Sequence, residues 1–370
     1  MEKIISLNDI ALFSKGEQIN NDNLLKYGKY YYLNGGINPS GKWNDFNVEG
    51  DTVAISEGGN SCGYINFMTD PFWCGAHCYY LYNIKCNPKY LYYVLKANQK
   101  KIMKLRSGAC MPNIKKNDLG DFKFKYNDDK KIQNDIIIQF EKLESIITKT
   151  KTLILLLDNL VKSRFVEMFG EPDENPFDWG KKSLTEIVEN ANNGMARRGN
   201  DEDGNIVLRL VELQDGYIDY SSPNRIMLNE NEKKRYLLNE NDFLFARVNG
   251  NPDNVGRCAV FHDIGEDVYH NDHIIRVHFN IKLLEGTFAS FLLNSEYGKR
   301  QLKKQIKTSA GQYTISQEGI GAINTILPPL ELQNQFADFV KQVDKSKFEI
   351  QKSLDKLQLL FDSLMQEYFG

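Results

Sequence analysis

Ser163-Arg164-Phe165-Val166-Glu167-Met168-Phe169-Gly170 returns 200 residues later as Ser363-Leu364-Met365-Gln366-Glu367-Tyr368-Phe369-Gly370, with four of the eight positions identical. At the same offset Gln133-Asn134 meets Gln333-Asn334, Leu157 meets Leu357 and Leu160 meets Leu360. The echo continues towards the N-terminus with small insertions. Ile114 and Leu119-Gly120 parallel Ile315 and Ile320-Gly321; Gly50-Asp51-Thr52-Val53-Ala54 parallels Asn241-Asp242-Phe243-Leu244-Phe245; Leu7 and Ile10 parallel Leu184 and Ile187. Such self-similarity means a chain built twice, in the order globular unit, helix, globular unit, helix.

The two helical segments carry the clearest periodicity. In the first, one seven-residue series reads Ile136, Leu143, Thr150, Leu157, Arg164 and the interleaved one Phe140, Ile147, Ile154, Val161, Met168. In the second they read Phe336, Val343, Ile350, Leu357, Leu364 and Val340, Lys347, Leu354, Phe361, Tyr368. Apolar residues alternating at spacings of four and three mark coiled-coil helices. Each segment stops at a glycine, Gly170 or Gly370, where a left-handed cap fits. A helix this long has only its twin to bury its seam against, so the two are expected to pair antiparallel.

The expected boundaries are 1–130 for the first globular unit, 131–170 for its helix, 171–180 for a linker, 181–328 for the second unit and 329–370 for the second helix. The linker rests on Glu171-Pro172-Asp173-Glu174-Asn175-Pro176, two prolines in an acidic stretch. The globular units read as mixed α/β. Lys29–Leu33, Asp51–Ser56 and His273–Phe279 are β-rich runs between Gly/Asn turns, and Lys89–Lys104 and Leu283–Lys307 are helical stretches.

Composition bounds the function. The 370 residues hold 46 Lys+Arg against 49 Asp+Glu, and 41% are hydrophobic, enough for real cores and too balanced for a protein that coats nucleic acid by charge alone. The apolar run Leu153–Leu157 is far shorter than the about 20 residues a membrane span needs, and the N-terminus lacks a signal-peptide core. The expectation is a soluble intracellular protein. Its six cysteines, five of them in the first 110 positions, are expected to stay reduced.

Signatures of catalysis are weak. Gly36-Ile37-Asn38-Pro39-Ser40-Gly41-Lys42-Trp43 comes within one residue of a phosphate-binding loop, but Trp43 replaces the hydroxyl that holds Mg²⁺ and no helix-like segment follows. Cys74, His77 and Cys78, with Cys62 and Cys86 nearby, supply only one of the two short-spaced pairs of a structural zinc site, and His270, His273 and His278 have no matching partners. No metal is expected. Neither a tetrad for a flipped adenine, nor a methyl-donor loop, nor a nuclease or hydrolase signature is present. The chain reads as non-catalytic.

Basic and amide-rich loops stand out instead, in equivalent places of the two units. The first offers Lys15, Asn34, Lys42, Asn60, Ser61, Arg106, Ser107, Lys115 and Lys116; the second offers Arg197, Arg198, Arg247, Asn249, Arg257, Lys303, Lys304, Lys307 and Thr308. Arg and Asn make paired contacts with purine edges, while Lys and backbone N–H groups hold phosphates. One such loop is ordinary solvated surface. The same kinds of loop recurring on two tethered units make plain solvated surface a much weaker account.

The layout resembles the specificity subunit of Type I restriction–modification systems across essentially the whole chain. Its most specific stretch is Ser309-Ala310-Gly311-Gln312-Tyr313-Thr314-Ile315, then Ile320, then Ile326–Phe336 with its Pro328-Pro329, which looks like the family's exit from a recognition domain into its helix. Asp242–Gly250 followed by Gly256–Val260 is similar to its mid-domain strand–loop–strand, and Gln312 and Thr314 join the DNA-binding candidates. The first unit departs from the pattern, with Cys110-Met111-Pro112-Asn113-Ile114 at the equivalent loop and Phe122-Lys123-Phe124-Lys125-Tyr126 in place of the Pro-Pro exit.

The resemblance implies two target-recognition domains in tandem, each reading one half-site of a bipartite DNA target. It implies docking of two methyltransferase subunits and, in the full complex, restriction subunits, which bring S-adenosylmethionine, ATP and Mg²⁺; none of these belongs to this chain. It also implies a cytoplasmic, prokaryotic setting. A helix from Ile136 to Met168 is about 50 Å long, which would hold two readers roughly 14 base pairs apart. Leu155, Leu156, Leu359 and Leu360 exceed what the seam needs and are the candidate docking residues. Two alternatives stay open: the recognition subunit of a system with fused methyltransferase and nuclease, and a coiled-coil scaffold that binds no DNA.

Overall fold

The computed structural model describes residues 2–108, 112–309 and 311–370. Cys110, Met111 and Ala310, named above within family-like loops, lie outside them. The chain forms two compact units, Met1–Leu153 with Ile350–Gly370, and Ile154–Glu349.

The first unit holds a four-stranded antiparallel sheet in the order Leu12–Lys15, Cys78–Tyr82, Thr52–Ser56, Ile65–Met68. A three-stranded sheet runs Gly41–Trp43, Tyr30–Leu33, Phe72–Cys74, antiparallel then parallel, and Glu2–Ser6 pairs with Lys123–Asn127. The second unit repeats each sheet. Its strands are Val188–Asn193, Ile274–Phe279, Asp242–Ala246, Cys258–Val260 in the first sheet and Arg225–Ile226, Asn205–Leu208, Val268–His270 in the second, with Lys181–Ser183 on Asn324–Ile326. The mixed α/β fold and its internal duplication are therefore both present.

The repeat extends to single residues. Leu7 N–H donates to the Phe122 carbonyl and Leu184 N–H to the Ile323 carbonyl, at 3.1 and 2.8 Å. Each sits behind a capping box, Ser6 with Asp9 and Ser183 with Glu186. Just before the central strands Asp51 and Asn241 take φ of 52° and 68°, a left-handed turn that Asp and Asn tolerate. Gly16 and Gly194 occupy matched positions where a Cβ would strike a backbone carbonyl, of Cys74 in one unit and of His270 and Asn271 in the other.

Each unit packs a helix on its large sheet. Pro88–Ala97 buries Tyr90, Leu91, Tyr93, Val94 and Leu95 beside Val53 and Ile55; Gly286–Asn294 buries Phe288, Ala289, Leu292 and Leu293 beside Phe243 and Phe245. The two helical stretches read from sequence each break in two. Asn98 separates Pro88–Ala97 from Gln99–Met103, its amide donating to the Val94 carbonyl. Ser295 separates Gly286–Asn294 from Glu296–Gln305 by capping Gly298 N–H. Lys307, read as the end of a helix, begins the strand Lys307–Ser309 instead, because Ile306 leaves helical geometry.

The long helices are Lys130–Phe169 and Leu330–Phe369, 40 residues each. In the second unit Phe165 lies 5.5 Å from Phe336 between ring centroids, and Asp158 accepts from Lys347 at 2.5 Å, so the helices run antiparallel there. In the first unit Phe140 packs on Phe361, centroids 5.2 Å apart. Every predicted seam position is buried or half-buried, the polar Thr150, Arg164 and Lys347 included. Gly170 takes φ +74°, the expected left-handed cap. No helix among the described residues is long and apolar enough to cross a membrane.

Candidate nucleic-acid interface

In the second unit three strands of the large sheet reach the same end, and the loops leaving them meet. Val188–Asn193 runs into Gly194, Asp242–Ala246 runs into Arg247, and Ile274–Phe279 starts behind His273. Arg247 N–H donates to the His273 carbonyl at 2.7 Å and its guanidinium to the Asp272 carbonyl at 3.0 Å. Arg198 donates to Asp272 Oδ1 at 2.6 Å and lies 3.1 Å from His273 Nε2. Ile315 N–H closes on the Arg247 carbonyl, and Val248–Asn249, Gln312–Thr314 and Lys307–Ser309 form a small antiparallel sheet. Candidates far apart in sequence (Arg198, Arg247, Asn249, Lys307, Thr308, Gln312 and Thr314) therefore share one polar surface.

The first unit builds the same end from different side chains. Glu57 follows the central strand where the second unit has Arg247, and its N–H donates to the His77 carbonyl at 2.9 Å. Lys15 pairs with Glu57 Oε1 at 2.7 Å, and His77 Nδ1 stands 3.8 Å from Oε2. Ile114 N–H donates to the Glu57 carbonyl, and single bridges join Gly58 and Ser107 to Asn113. These two bridges, both on Asn113, stand where Thr314 of the second unit pairs with Val248 and with Lys307. Lys15 and Ser107 lie in this cluster, with Arg106 and Asn60 exposed in its loops.

Several candidates have structural duties. Ser61 Oγ donates to the Gly35 carbonyl at 2.5 Å, and the Asn34 amide bridges Gln18 and His77 N–H. Lys42, in the hairpin strand Gly41–Trp43, lies 5.0 Å from the Tyr31 ring; no helix opens after the Gly36 loop. Lys116 lies 5.5 Å from the Phe13 ring, and Lys115 is exposed before the short helix Lys116–Gly120. Arg197 makes a two-pronged pair with Glu232, whose carboxyl this pairing holds below its usual pKa. Arg257 pairs with Asp215 and Lys303 with Asp253. Lys304 is exposed.

The sequence reading missed Glu57, His77, Asp272 and His273 as members of the clusters, and it missed Arg209. Arg209 Nη2 donates to Glu212 Oε1 at 2.6 Å, and the Glu212 side chain is only 4% exposed. The Arg-x-x-Glu spacing behind a strand is the one signal that points to it. The docking candidates are exposed: Leu155 and Leu156 in the second unit, Leu359 and Leu360 in the first. Among the described residues no group of three or more His, Cys, Asp or Glu is placed to hold a metal ion.

Known proteins share this layout. The family model described as the Type I restriction modification DNA specificity domain matches residues 2–157 and again 176–359. The chain is 26% identical over 341 residues to the StySPI specificity subunit of Salmonella potsdam, covering 86% of this chain and 73% of that one. It is 24% identical over 239 residues to the EcoKI specificity subunit of Escherichia coli K12, covering 62% and 50%. The crystal structure of the type I restriction–modification S subunit from M. genitalium superposes with a TM-score of 0.66 at 20% identity, covering 100% of this chain and 96% of that one, a likeness of fold. With two matches of the family model together covering most of its length, the chain belongs to the type I restriction–modification specificity subunits.

Proposed function

We propose that this chain is the non-catalytic DNA reader of a type I restriction–modification complex, each unit reading one half-site of a bipartite duplex target. The observation that carries the reading is the recurrence of one polar loop cluster at the same end of the same sheet in both units, built on Glu57 and Asn113 in one and on Arg247 and Gln312–Thr314 in the other. The shared backbone supplies a common platform and the divergent side chains supply different base preferences. The candidate contacts are the loop residues named above, with Lys304, Lys307 and Lys115 suited to phosphates.

Two methyltransferase subunits dock on the long helices through Leu155, Leu156, Leu359 and Leu360, whose exposure favours a covering partner. Restriction subunits join in the full complex. S-adenosylmethionine, ATP and Mg²⁺ are held by those partners, and the complex works in the cytoplasm of a prokaryote.

The test is co-expression with a cognate methyltransferase subunit and mapping of methylated adenines across a genome. A two-part motif with a fixed nonspecific gap is expected; a short continuous motif, or no methylation by a complex intact on a column, would overturn the reading. Leu155→Asp combined with Leu359→Asp is expected to abolish co-purification of the methyltransferase, and unchanged complex formation would remove the docking assignment.

A further inference from the structure

Beside the loop cluster of the second unit lies a cavity of about 430 Å³. Arg198, which reaches Asp272 of the cluster, forms part of its wall, together with Arg209, Arg197 and the amides Asn224 and Asn271. Val207 and Ile226 supply an apolar lining. A cavity rimmed by N–H donors over aliphatic side chains suits a flat, acceptor-bearing ring better than it suits a solvated anion.

Arg209 is the rim residue built for that contact. Its Nε and Nη2 both donate to Glu212, at 3.1 and 2.6 Å to Oε1, and Glu212 Oε2 accepts from Arg209 N–H at 2.7 Å. The carboxylate is thus clamped by the backbone of the residue it holds. Among the described residues Arg209 Nη1 has no acceptor, and the side chain is 43% exposed. What remains open is the end-on edge formed by Nη1 and the second Nη2 proton, the geometry that meets guanine O6 and N7 together.

Charge separates a base from a phosphate as the occupant. The Arg209–Glu212 pair is neutral as a unit, so it adds little long-range attraction to a phosphate, while its donors keep their direction. The clamp also removes rotamer freedom before binding, so less entropy is lost when the contact forms. We infer that Arg209, positioned by Glu212, is a specificity-determining residue that reads a guanine in the half-site recognised by the second unit, an assignment that rests on the DNA-reading function proposed above.

Methylome mapping of this chain with its methyltransferase partner tests it. The unsubstituted chain is expected to give a guanine in one half-site. Arg209→Gln should degrade that single position or shift it towards adenine, which glutamine pairs, lowering methylation of the guanine-bearing sites about tenfold or more relative to the relaxed ones. The other half-site and the gap should not change. Arg209→Lys keeps the charge and the stem, loses the two-pronged edge, and should relax the same position. Glu212→Gln should weaken the preference there without moving it.

An unchanged motif in both Arg209 variants would overturn the assignment, as would a uniform loss of methylation at all sites with the complex intact on a column, the mark of a phosphate contact. A collapsed fold in Arg209→Gln would show as lost co-purification, and Arg209→Lys then decides. Absence of any bipartite motif with the unsubstituted chain would sink the parent reading and this assignment with it, and is distinguishable because it precedes any substitution.

Discussion

Phe369 stacks on Phe140 across 229 positions of sequence, ring centroids 6.1 Å apart and planes 27° from parallel. The last turn of the second long helix is thereby core of the first unit: Phe369 is 1% exposed, packs also on Tyr90, and its carbonyl accepts from Asn98. Phe169 does the same for the second unit, packing on Phe288 and Phe336, with Trp179 Nε1 donating to its carbonyl. Each unit is completed by the end of a helix that begins in the other.

Truncating these anchors should loosen one unit at a time. Phe369→Ala is expected to cost about 3–5 kcal/mol and to raise amide hydrogen exchange in Pro88–Ala97, leaving Gly286–Asn294 protected. Phe169→Ala should reverse the pattern. Equal loss of protection in both units from either substitution would contradict the separate cores.

Gly170 should resist substitution while Gly265 tolerates it. Both have positive φ, +74° and +80°, but a Cβ on Gly170 would strike the Pro176 ring, whereas one on Gly265 meets nothing within 4 Å. Gly170→Ala adds a clash to the left-handed penalty of about 1–2 kcal/mol; Gly265→Asn carries only a small part of that penalty. Urea midpoints of the two variants check this, and equal shifts would refute it.

Acid should destabilise the second unit through His270. Burial, helped by the nearby Arg276 charge and only partly offset by hydrogen bonds to the backbone of Tyr236 and Asn192, pushes this imidazole down to about 4 from an ordinary 6.5. Folded protein keeps it neutral while the unfolded chain takes up a proton below pH 6.5. The unfolded state then binds more protons, so stability falls as pH drops from about 6.5 and levels off near 4, by up to about 3 kcal/mol in total. His270→Gln should flatten that part of the stability–pH curve. A variant whose curve keeps the full slope would show that other groups carry it.

Glu57→Gln should strengthen DNA binding. The carboxylate neutralises Lys15 at 2.7 Å, and its loss frees one cation at the proposed reading end of the first unit. Duplex affinity of the assembled methyltransferase is expected to rise, with a log–log salt slope steeper by about one ion. A weaker complex or an unchanged slope would show that Lys15 does not face the phosphates.

The duplication and the two coiled-coil helices were legible because they rest on spacing: a seam repeated every seven residues and an echo at an offset of 200 appear in any alignment of the chain with itself. The β-rich runs Lys29–Leu33, Asp51–Ser56 and His273–Phe279 and the cap at Gly170 were equally local. The helix breaks at Asn98 and Ser295 were not, because each depends on a side chain choosing a backbone partner over continued helix.

The sequence alone determined that two like units exist and that both carry basic, amide-rich loops. Only the tertiary structure decided which of those loops meet, since the strand ends that bring Arg247 to His273 are paired by registers formed between segments far apart in the chain. It also decided which charges are spent internally. Arg197 and Arg257 read from sequence like free cations and are held by Glu232 and Asp215, while Arg209 gains a fixed direction from Glu212. A carboxylate's effect depends on distance and burial, and neither is written in residue order.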